Sequence, residues 1–296
     1  MPHHPEGPAP SCAACGASAC RTLGFYESSE GRFDLYECAA CRLHFVWPMR
    51  AGSSAFYARC PFYSARQGYR LLSLEKILRR DWRIRQFQKL DLPKGKLLDV
   101  GCGHGETVRA ASRMGYEAFG VDLDERAIEI ARRVGIANVS VGLAENAQGG
   151  PFDVITILDV LEHLENPVGV LRDLKKVLKP QGALVVAVPA WDHGPFVSDS
   201  ADNPPHHLTL WTESALQAIA ERAGYRVSQM LRKPYTGTDY MVTCRHTIPL
   251  MNRDILPVKA LRRLLEFAVF LPIGALIRVA TRCKGRTLLA VLRPQV

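Results

Sequence analysis

A glycine-rich turn at residues 101–105 is the first place where this sequence could do chemistry. Residues 97–100 form a short apolar run typical of a buried parallel strand, and Gly101, Gly103 and Gly105 follow it. Glycine allows backbone conformations and a close ligand approach that a Cβ would prevent. Because the next residues are helical in character, free backbone N–H groups at the helix start would face the turn. The pattern predicts a pocket for a nucleotide-type ligand.

Two acidic residues narrow the class of ligand. A dinucleotide fingerprint requires a glycine at position 106, where this chain has Glu106. A carboxylate at a helix start suits a pyrophosphate poorly and suits an ammonium or sulfonium group better. Asp122 lies at the tip of the second predicted strand, about 20 residues past the turn, where a carboxylate can hydrogen-bond both ribose hydroxyls of an adenosine.

Three histidines are the candidate acid–base groups. His206 and His207 lie in an Asn-Pro-Pro-His-His stretch on the loop after the fifth predicted strand. An imidazole titrates near neutral pH, so either ring could act as a general base, or both could merely hold the loop in place. His163 follows the fourth predicted strand and could orient a substrate or cap the helix that begins after it.

Cysteine pairs near the N terminus have the spacing of a metal site. Two Cys-x-x-Cys pairs flank two strand-like segments and supply Cys12, Cys15, Cys38 and Cys41. Four soft ligands from two tight turns suit tetrahedral Zn²⁺, and a segment this small needs such a staple to fold. Cys20 has no partner at a ligand spacing and is interpreted as incidental. Nine cysteines without a secretory signal indicate a reducing compartment, which favours structural zinc over disulfides.

The elements that must position these groups alternate between strands and helices from residue 93 onward. This alternation predicts a parallel sheet covered by helices on both faces, with its ligand at the carboxyl ends of the strands. A basic, apolar insertion at about 236–284 precedes the last predicted strand. The predicted organisation is a disordered N terminus at 1–10, a zinc ribbon at 11–46, an aromatic connector and helix at 47–92, and the α/β domain at 93–296.

These motifs resemble those of the class I S-adenosylmethionine (SAM) methyltransferases. The stretch from Asp99 to Gly105 is similar to their first motif, and residues 159–167 are similar to the motif where the chain passes the methionine end of SAM. The Pro-Pro-His-His loop resembles that of bacterial methyltransferases from polysaccharide and natural-product clusters, with a distant similarity to quinone O-methyltransferases. The resemblance implies an α/β fold, a Rossmann-like seven-stranded methyltransferase sheet with helices on both faces, beside the small zinc ribbon.

The resemblance also implies a set of cofactor contacts. Leu143 stands where the family commonly has an acid that meets the adenine amino group, which leaves that contact to a backbone group or to Glu145. In a quinone O-methyltransferase-like site, Glu162 and His163 would bind a divalent ion. The residues implied to hold SAM are Asp99, Gly101, Cys102, Gly103, Asp122, Leu123, Ala144, Glu145 and Asp159.

The implied reaction is methyl transfer by in-line displacement at the sulfonium, so the cofactor carries the activated group. The protein must align the acceptor, exclude water and remove a proton from a hydroxyl. We therefore expect a SAM-dependent methyltransferase that acts on a hydroxyl of a small molecule, such as a sugar, a lipid-linked compound or a secondary metabolite. Sugar C-methyltransferases carry a further C-terminal domain for which this chain is too short, and this weakens C-methylation as an expectation.

Charge distribution separates this expectation from two alternatives. The formal net charge of +9 is concentrated after residue 244, so a uniformly basic nucleic-acid binder is a poor description. An RNA base methyltransferase would carry a basic ribbon, yet residues 1–46 hold more acidic than basic side chains. A non-catalytic SAM-fold binding module would not need the largely intact motifs at Asp99, Asp122 and Asp159.

The sequence shows neither a signal peptide nor an apolar run long enough to span a bilayer, so we expect a cytoplasmic protein. Residues 255–280 mix apolar side chains with Lys259, Arg262 and Arg263. Such a segment could be a lid over the substrate, a dimer face, or a helix that lies on the inner face of the membrane. A homodimer and a peripheral membrane contact therefore both stay open.

Overall fold

The computed structural model describes residues 10–53, 56–57, 77, 81–192, 202–235, 272 and 284–295. The strands are β1 (Cys20–Ser28), β2 (Gly31–Cys38), β3 (His44–Trp47), β4 (Lys96–Val100), β5 (Glu117–Asp122), β6 (Val139–Val141), β7 (Phe152–Leu158), β8 (Leu178–Pro189), β9 (Thr209–Leu210), β10 (Tyr225–Pro234) and β11 (Lys284–Pro294). The helices are α1 (Trp82–Gln86), α2 (Glu106–Arg113), α3 (Glu125–Arg133), α4 (Pro167–Val177) and α5 (Glu213–Arg222). Short 3₁₀ turns, Ala144–Asn146 and Leu161–His163, come after β6 and β7.

Seven strands form the main sheet, in the spatial order β10-β11-β8-β7-β4-β5-β6. Strands β4 to β8 pair in parallel. Strand β11 is antiparallel to both β8 and β10, so the last two strands of the sheet form an antiparallel pair. The predicted Rossmann-like seven-stranded α/β sheet is therefore confirmed.

Successive side chains of the central strands pack on opposite faces of this sheet. Leu98 and Ile155 belong to a core that includes residues of α4 and α5, whereas Leu97 and Val154 belong to a core with residues of α2 and α3. All four side chains are fully buried. Strands covered on both faces have continuous apolar sequences, and for this reason residues 152–158 are predicted as a strand with the bounds that β7 has.

Helix α4 is capped by Asn166 and not by His163, which the sequence offered as a possible cap. Its first residue is Pro167, and the side chain of Asn166 accepts a hydrogen bond from the amide of Gly169. A capping role for His163 is therefore wrong, since this residue lies in the preceding 3₁₀ turn.

The Pro-Gln-Gly stretch at 180–182 is typical of a turn into the fifth strand of the main sheet, and it lies within the bounds of β8. Residues 179–182 have no partner in β7, because the register moves from Leu178 opposite Phe152 to Ala183 opposite Val154. The regular parallel pairing of β8 therefore begins at Ala183, directly after this stretch.

A second sheet of four strands contains the N-terminal strands. Its order is β1-β2-β3-β9, and all of its pairings are antiparallel. Strands β1 and β2 are longer than the predicted segments, whereas β3 and β9 have no counterpart among the predicted elements. Because β9 follows the end of β8 in the chain, backbone hydrogen bonds join the N-terminal sheet to the α/β unit.

Several sequence-based expectations lie outside the described residues. They concern the N terminus, most of the aromatic connector, residues 70–76 and 78–80 of the helix expected at 70–91, and nearly all of the insertion at about 236–284. The lid, dimer and membrane-surface roles of that insertion stay predictions. Across the ranges that the structure describes, no helix has both the length and the apolar character needed to cross a bilayer.

Candidate active site

The glycine turn lies at the carboxyl end of β4, next to β5. The amides of Gly101 and Cys102 donate to the carbonyl oxygen of Val121 at 2.8 and 3.0 Å. Gly101 and Gly105 have φ angles of 73° and 79°, in the left-handed region that favours glycine. A Cβ at Gly101 would also collide with the side chain of Val160. The turn therefore packs directly against the segment that follows β7.

The carboxylate of Asp122 connects the glycine turn to the loop after β5. Its Oδ2 accepts a hydrogen bond from the amide of Gly103 at 2.7 Å, and its Oδ1 accepts from the amide of Asp124 at 2.8 Å. The cap of α3 is Asp124, whose side chain accepts from the amide of Arg126. Asp122 is thus not needed as a cap, and it lies at the edge where parallel α/β sheets bind their ligands.

Apolar side chains are exposed along the same edge of the sheet. Leu123 is 70% exposed after β5, and Leu143 is 54% exposed shortly after β6. Ala144 is buried and Glu145 is exposed in the 3₁₀ turn that follows. Exposed large apolar side chains beside a polar loop suit a flat, largely apolar group such as a purine base.

Asp99 lies inside β4 and not at the exposed end of the strand. Its carboxyl group is buried and accepts a hydrogen bond from Oγ1 of Thr156 at 2.6 Å. Burial raises the pKa of Asp99 to about 7, although the hydrogen bond from Thr156 acts in the opposite direction. Asp99 lies close to the glycine turn, and a cation bound there would stabilise the charged form of its carboxyl group.

Arg83 is a candidate that reasoning from the sequence missed. It lies in α1, and its guanidinium forms ion pairs with the carboxylates of Asp81 and Asp159. Burial lowers the pKa of Arg83, but the two carboxylates outweigh this effect and keep the group charged. A fixed cation therefore lies next to Asp159, just after β7. Arg83 and Asp159 are far apart in the chain, and no sequence signal indicates their contact.

Three histidines from two separate segments meet in one cluster. One ring nitrogen of each of His163, His206 and His207 lies within 4.8 Å of the others. The rings of His206 and His207 are stacked with centroids 4.7 Å apart, and both centroids lie 4.8 Å from that of His163. Nδ1 of His163 is hydrogen-bonded to the carbonyl oxygen of His206. Nδ1 must then carry the proton, and Nε2 of His163 is left as an acceptor.

Two carboxyl groups face this histidine cluster. Glu162 is buried, and its Oε1 lies 3.9 Å from Nε2 of both His163 and His207. Oδ1 of Asp202 lies 3.3 Å from Nδ1 of His207. Burial raises the pKa of Glu162 well above its usual range, and burial lowers the pKa of His163 to about 3. Such a cluster can accept a proton, or it can surround a divalent cation.

The four predicted metal ligands converge within the N-terminal ribbon, residues 11–46. Sγ of Cys12 lies 3.6 Å from Sγ of Cys41, and Sγ of Cys15 lies 3.5 Å from Sγ of Cys38. The four thiols form one group with the spacing of a metal site. Cys20 lies close to them, and burial together with the nearby cysteine side chains raises its pKa. Its position beside the group was not expected.

The fold and the site together define a class of protein. The main sheet has one antiparallel strand, β11, next to its edge. A glycine turn follows β4, and Asp122 lies at the end of β5. This is the architecture of class I SAM-dependent methyltransferases. Residues 61–230 match the family described as "Methyltransferase domain". Since this match covers more than half of the chain, the protein belongs to that family.

Comparisons with individual proteins agree with the family. The chain is 32% identical over 107 residues to a ubiquinone biosynthesis O-methyltransferase of Xanthomonas oryzae pv. oryzae, across 33% of this chain and 45% of that protein. It is 35% identical over 130 residues to the mitochondrial enzyme of the same name in Schizosaccharomyces pombe, across 40% and 47% of the two chains. The chain thus spans less than half the length of these relatives.

One solved structure supports the fold. A SAM-dependent methyltransferase from Archaeoglobus fulgidus superposes with a TM-score of 0.52 and 20% identity, across 78% of this chain and 98% of the other.

Proposed function

We propose that this protein transfers a methyl group from SAM to a hydroxyl of a small-molecule acceptor. The observation that carries the proposal is the shared edge of the two candidate sites. Val160 packs against Gly101 of the glycine turn, and the same short segment continues to Glu162 and His163 of the histidine cluster. A nucleotide-type ligand on the turn would therefore have a proton acceptor close to one of its ends.

The proposed cofactor contacts follow from the geometry of this edge. Asp122 would accept hydrogen bonds from the ribose hydroxyls, and Leu123 with Leu143 would cover the adenine ring. Arg83 would offer its guanidinium to the carboxylate of the methionine moiety, in exchange for part of its contact with Asp159. Asp99 would favour the cationic end of the same moiety through its buried charge. Gly101, Cys102 and Gly103 would approach the ligand through the backbone, and Ala144, Glu145 and Asp159 would complete the pocket.

The proposed reaction needs one base. The acceptor oxygen attacks the methyl carbon, the bond from that carbon to sulfur breaks, and S-adenosylhomocysteine (SAH) leaves while the hydroxyl proton passes to the protein. His207 is the proposed base because Oδ1 of Asp202 lies 3.3 Å from its Nδ1, where the carboxylate would stabilise the protonated ring, and Nε2 is left to accept the proton. His163 is neutral and can serve as a hydrogen-bond acceptor for the substrate. His206 completes the cluster by stacking on His207.

A second role for the same cluster is divalent-metal binding. Oε2 of Glu162 is buried and has no hydrogen-bond partner among the described residues, and Oε1 of the same carboxyl group lies 3.9 Å from Nε2 of His163 and of His207. A metal ion there would bind the acceptor oxygen and lower its pKa, so the deprotonation would not require a free histidine. The metal content of the purified protein separates the two roles.

The four cysteines are proposed to hold structural zinc. Zn–S bonds of about 2.3 Å give tetrahedral S–S edges of about 3.8 Å, close to the 3.6 and 3.5 Å found between the cysteine pairs. An ion held by four thiolates would have no open position, so we propose no catalytic part for this site.

The relatives support a hydroxyl acceptor in a limited way. Their names describe O-methyl transfer in ubiquinone biosynthesis. We extend to this chain only the class of acceptor atom, and we propose a sugar, lipid-linked or secondary-metabolite hydroxyl. C- and N-methylation, an RNA substrate and a non-catalytic binding role are the competing proposals.

Turnover assays with labelled SAM test the proposed function. We expect SAH to form only when a hydroxylated small molecule is present, with the label recovered on oxygen in the product. Total RNA in place of the small molecule is the control, and label transfer to RNA alone would establish the RNA alternative. SAM binding without turnover across sugars, phenols and lipid-linked alcohols would favour a binding module.

A further inference from the structure

The strands of the cysteine-containing ribbon, residues 11–46, contact the loop that carries His206 and His207. Strand β3 pairs with β9, with His44 opposite Leu210 and Phe45 opposite Thr209. Strand β9 begins two residues after His207. Among the described strands, β9 pairs with β3 alone. A two-residue strand makes few hydrogen bonds of its own, so this pairing adds to the bonds that Leu208 and Trp211 make with the α/β domain.

Leu208 connects the ribbon to the proposed acceptor site through its two backbone groups. Its carbonyl oxygen accepts a hydrogen bond from the amide of Val46, which is in β3 of the ribbon. Its amide donates to the carbonyl oxygen of Glu162 at 2.8 Å, and the side chain of Glu162 faces the histidine cluster. A single residue therefore separates the ribbon backbone from the backbone of the cluster, and His207 is its neighbour in the chain.

The metal-binding turns of the ribbon contact α5 at the far end of the same loop. The carbonyl oxygen of Cys41 accepts hydrogen bonds from Oγ1 of Thr212 at 2.9 Å and from Oγ of Ser214 at 2.8 Å. The guanidinium of Arg222 donates to the carbonyl oxygens of Cys12 and Ala14 at 3.4 and 3.3 Å. Both cysteine turns thus receive side-chain donors from one helix.

These contacts are part of a continuous core. Cys12, Cys38 and Cys41 are buried in the same cluster as Trp211 and Leu216 of the loop end and α5. The cysteine turns therefore pack against the chain on the C-terminal side of β9, where Trp211 is also hydrogen-bonded to Pro189 and Trp191 of the α/β domain. If zinc fixes the geometry of the cysteine turns, the ion acts on residues 202–212 at a distance from its own ligands.

We propose that the cysteine ribbon is a positioning element of the acceptor site, which holds His206 and His207 in place through β9, Ser214 and Arg222. That this site binds the acceptor rests on the proposed function, whereas the positioning by the ribbon rests on the contacts described above. It predicts that a weakened contact between the ribbon and α5 impairs acceptor methylation and leaves the SAM half of the site intact.

Two interface variants of the zinc-loaded full chain test this positioning. Ser214→Ala removes one donor to Cys41, and Arg222→Ala removes the donors to the other cysteine turn. We expect amide hydrogen exchange in residues 202–212 to become roughly 3- to 10-fold faster in each variant, as the loss of one or two hydrogen bonds implies. The KM for the acceptor rises or kcat falls by a similar factor, while the dissociation constant of SAH stays within about twofold.

Three further variants control for general destabilisation. Ser214→Thr keeps a hydroxyl and is expected to restore wild-type exchange, and Ser28→Ala alters a hydrogen bond in the β1–β2 hairpin away from the loop and is expected to change nothing. Cys41→Ser is expected to give the largest increase in exchange at 202–212. Unchanged exchange at 202–212 in both interface variants would overturn the proposal, and so would a parallel loss of SAH affinity.

The exchange measurement does not depend on turnover. If the wild-type chain methylates no acceptor, the proposed function fails, and the exchange rates still decide whether the ribbon holds the loop.

Discussion

Replacement of Asp122 by alanine is expected to weaken SAH and SAM binding by about 100-fold or more. The variant loses two charge-assisted hydrogen bonds to the ribose hydroxyls, at roughly 1.5 to 3 kcal/mol each. It also loses the acceptor that fixes the amide of Gly103 in the glycine turn. Titration calorimetry with SAH measures the effect, and Asp122→Asn, which keeps one oxygen, is expected to lose about 10-fold.

Asp124→Ala is the matched control for this prediction. It removes the neighbouring carboxylate and the cap of α3, which costs about 1 kcal/mol of the free energy of unfolding and leaves SAH affinity unchanged. An Asp122→Ala protein that binds SAH within about threefold of wild type would mean that Asp122 only stabilises the turn.

Replacement of His207 by alanine is expected to lower kcat by about 100- to 1,000-fold, within the range that general-base catalysis contributes. SAH affinity should stay within about twofold, because the ring lies on the acceptor side of the site. His206→Ala, which removes the ring stacked on His207 and leaves His207 beside Asp202, is expected to have a smaller effect. Single-turnover rates with saturating SAM separate these variants from changes in binding.

Metal analysis of the same proteins decides between the two roles of the cluster. With a histidine base, wild type and His207→Ala hold one zinc per chain, bound by the four cysteines. A second metal in the wild-type protein that is lost in His207→Ala would assign the cluster to metal binding. A normal kcat in His207→Ala would mean that the histidines only hold the loop.

Much of the main sheet could be predicted because its signals are local. Residues 152–158 are apolar throughout, as a strand buried on both faces must be, and the bounds of β7 agree with the prediction. The turn at 101–105 is recognisable because only glycine readily adopts its conformations, and Asp122 follows at the expected distance along the chain. The four cysteines are recognisable because two Cys-x-x-Cys pairs have the ligand spacing that a tetrahedral metal site requires.

The rest of the site depends on contacts that leave no local pattern. Strand β9 has two residues, too few to show an alternation of apolar and polar side chains. Arg83 lies far from Asp159 in the chain, and an arginine in a short helix is more often an exposed residue than an ion-pair partner. His163 was identified apart from His206 and His207, and only the tertiary structure brings the three rings together.

The turn at 180–182 is also a local signal. Proline and glycine two residues apart indicate a turn in the sequence, and the pairing of β8 with β7 is interrupted between Leu178 and Ala183.

A crystal structure of the zinc-loaded protein with SAH tests the central claim most directly. The account predicts that the ribose hydroxyls lie within hydrogen-bonding distance of the Asp122 carboxylate and that the sulfur faces the histidine cluster across a space for one acceptor oxygen. SAH bound elsewhere, or with its sulfur turned away from His163, His206 and His207, would contradict the account.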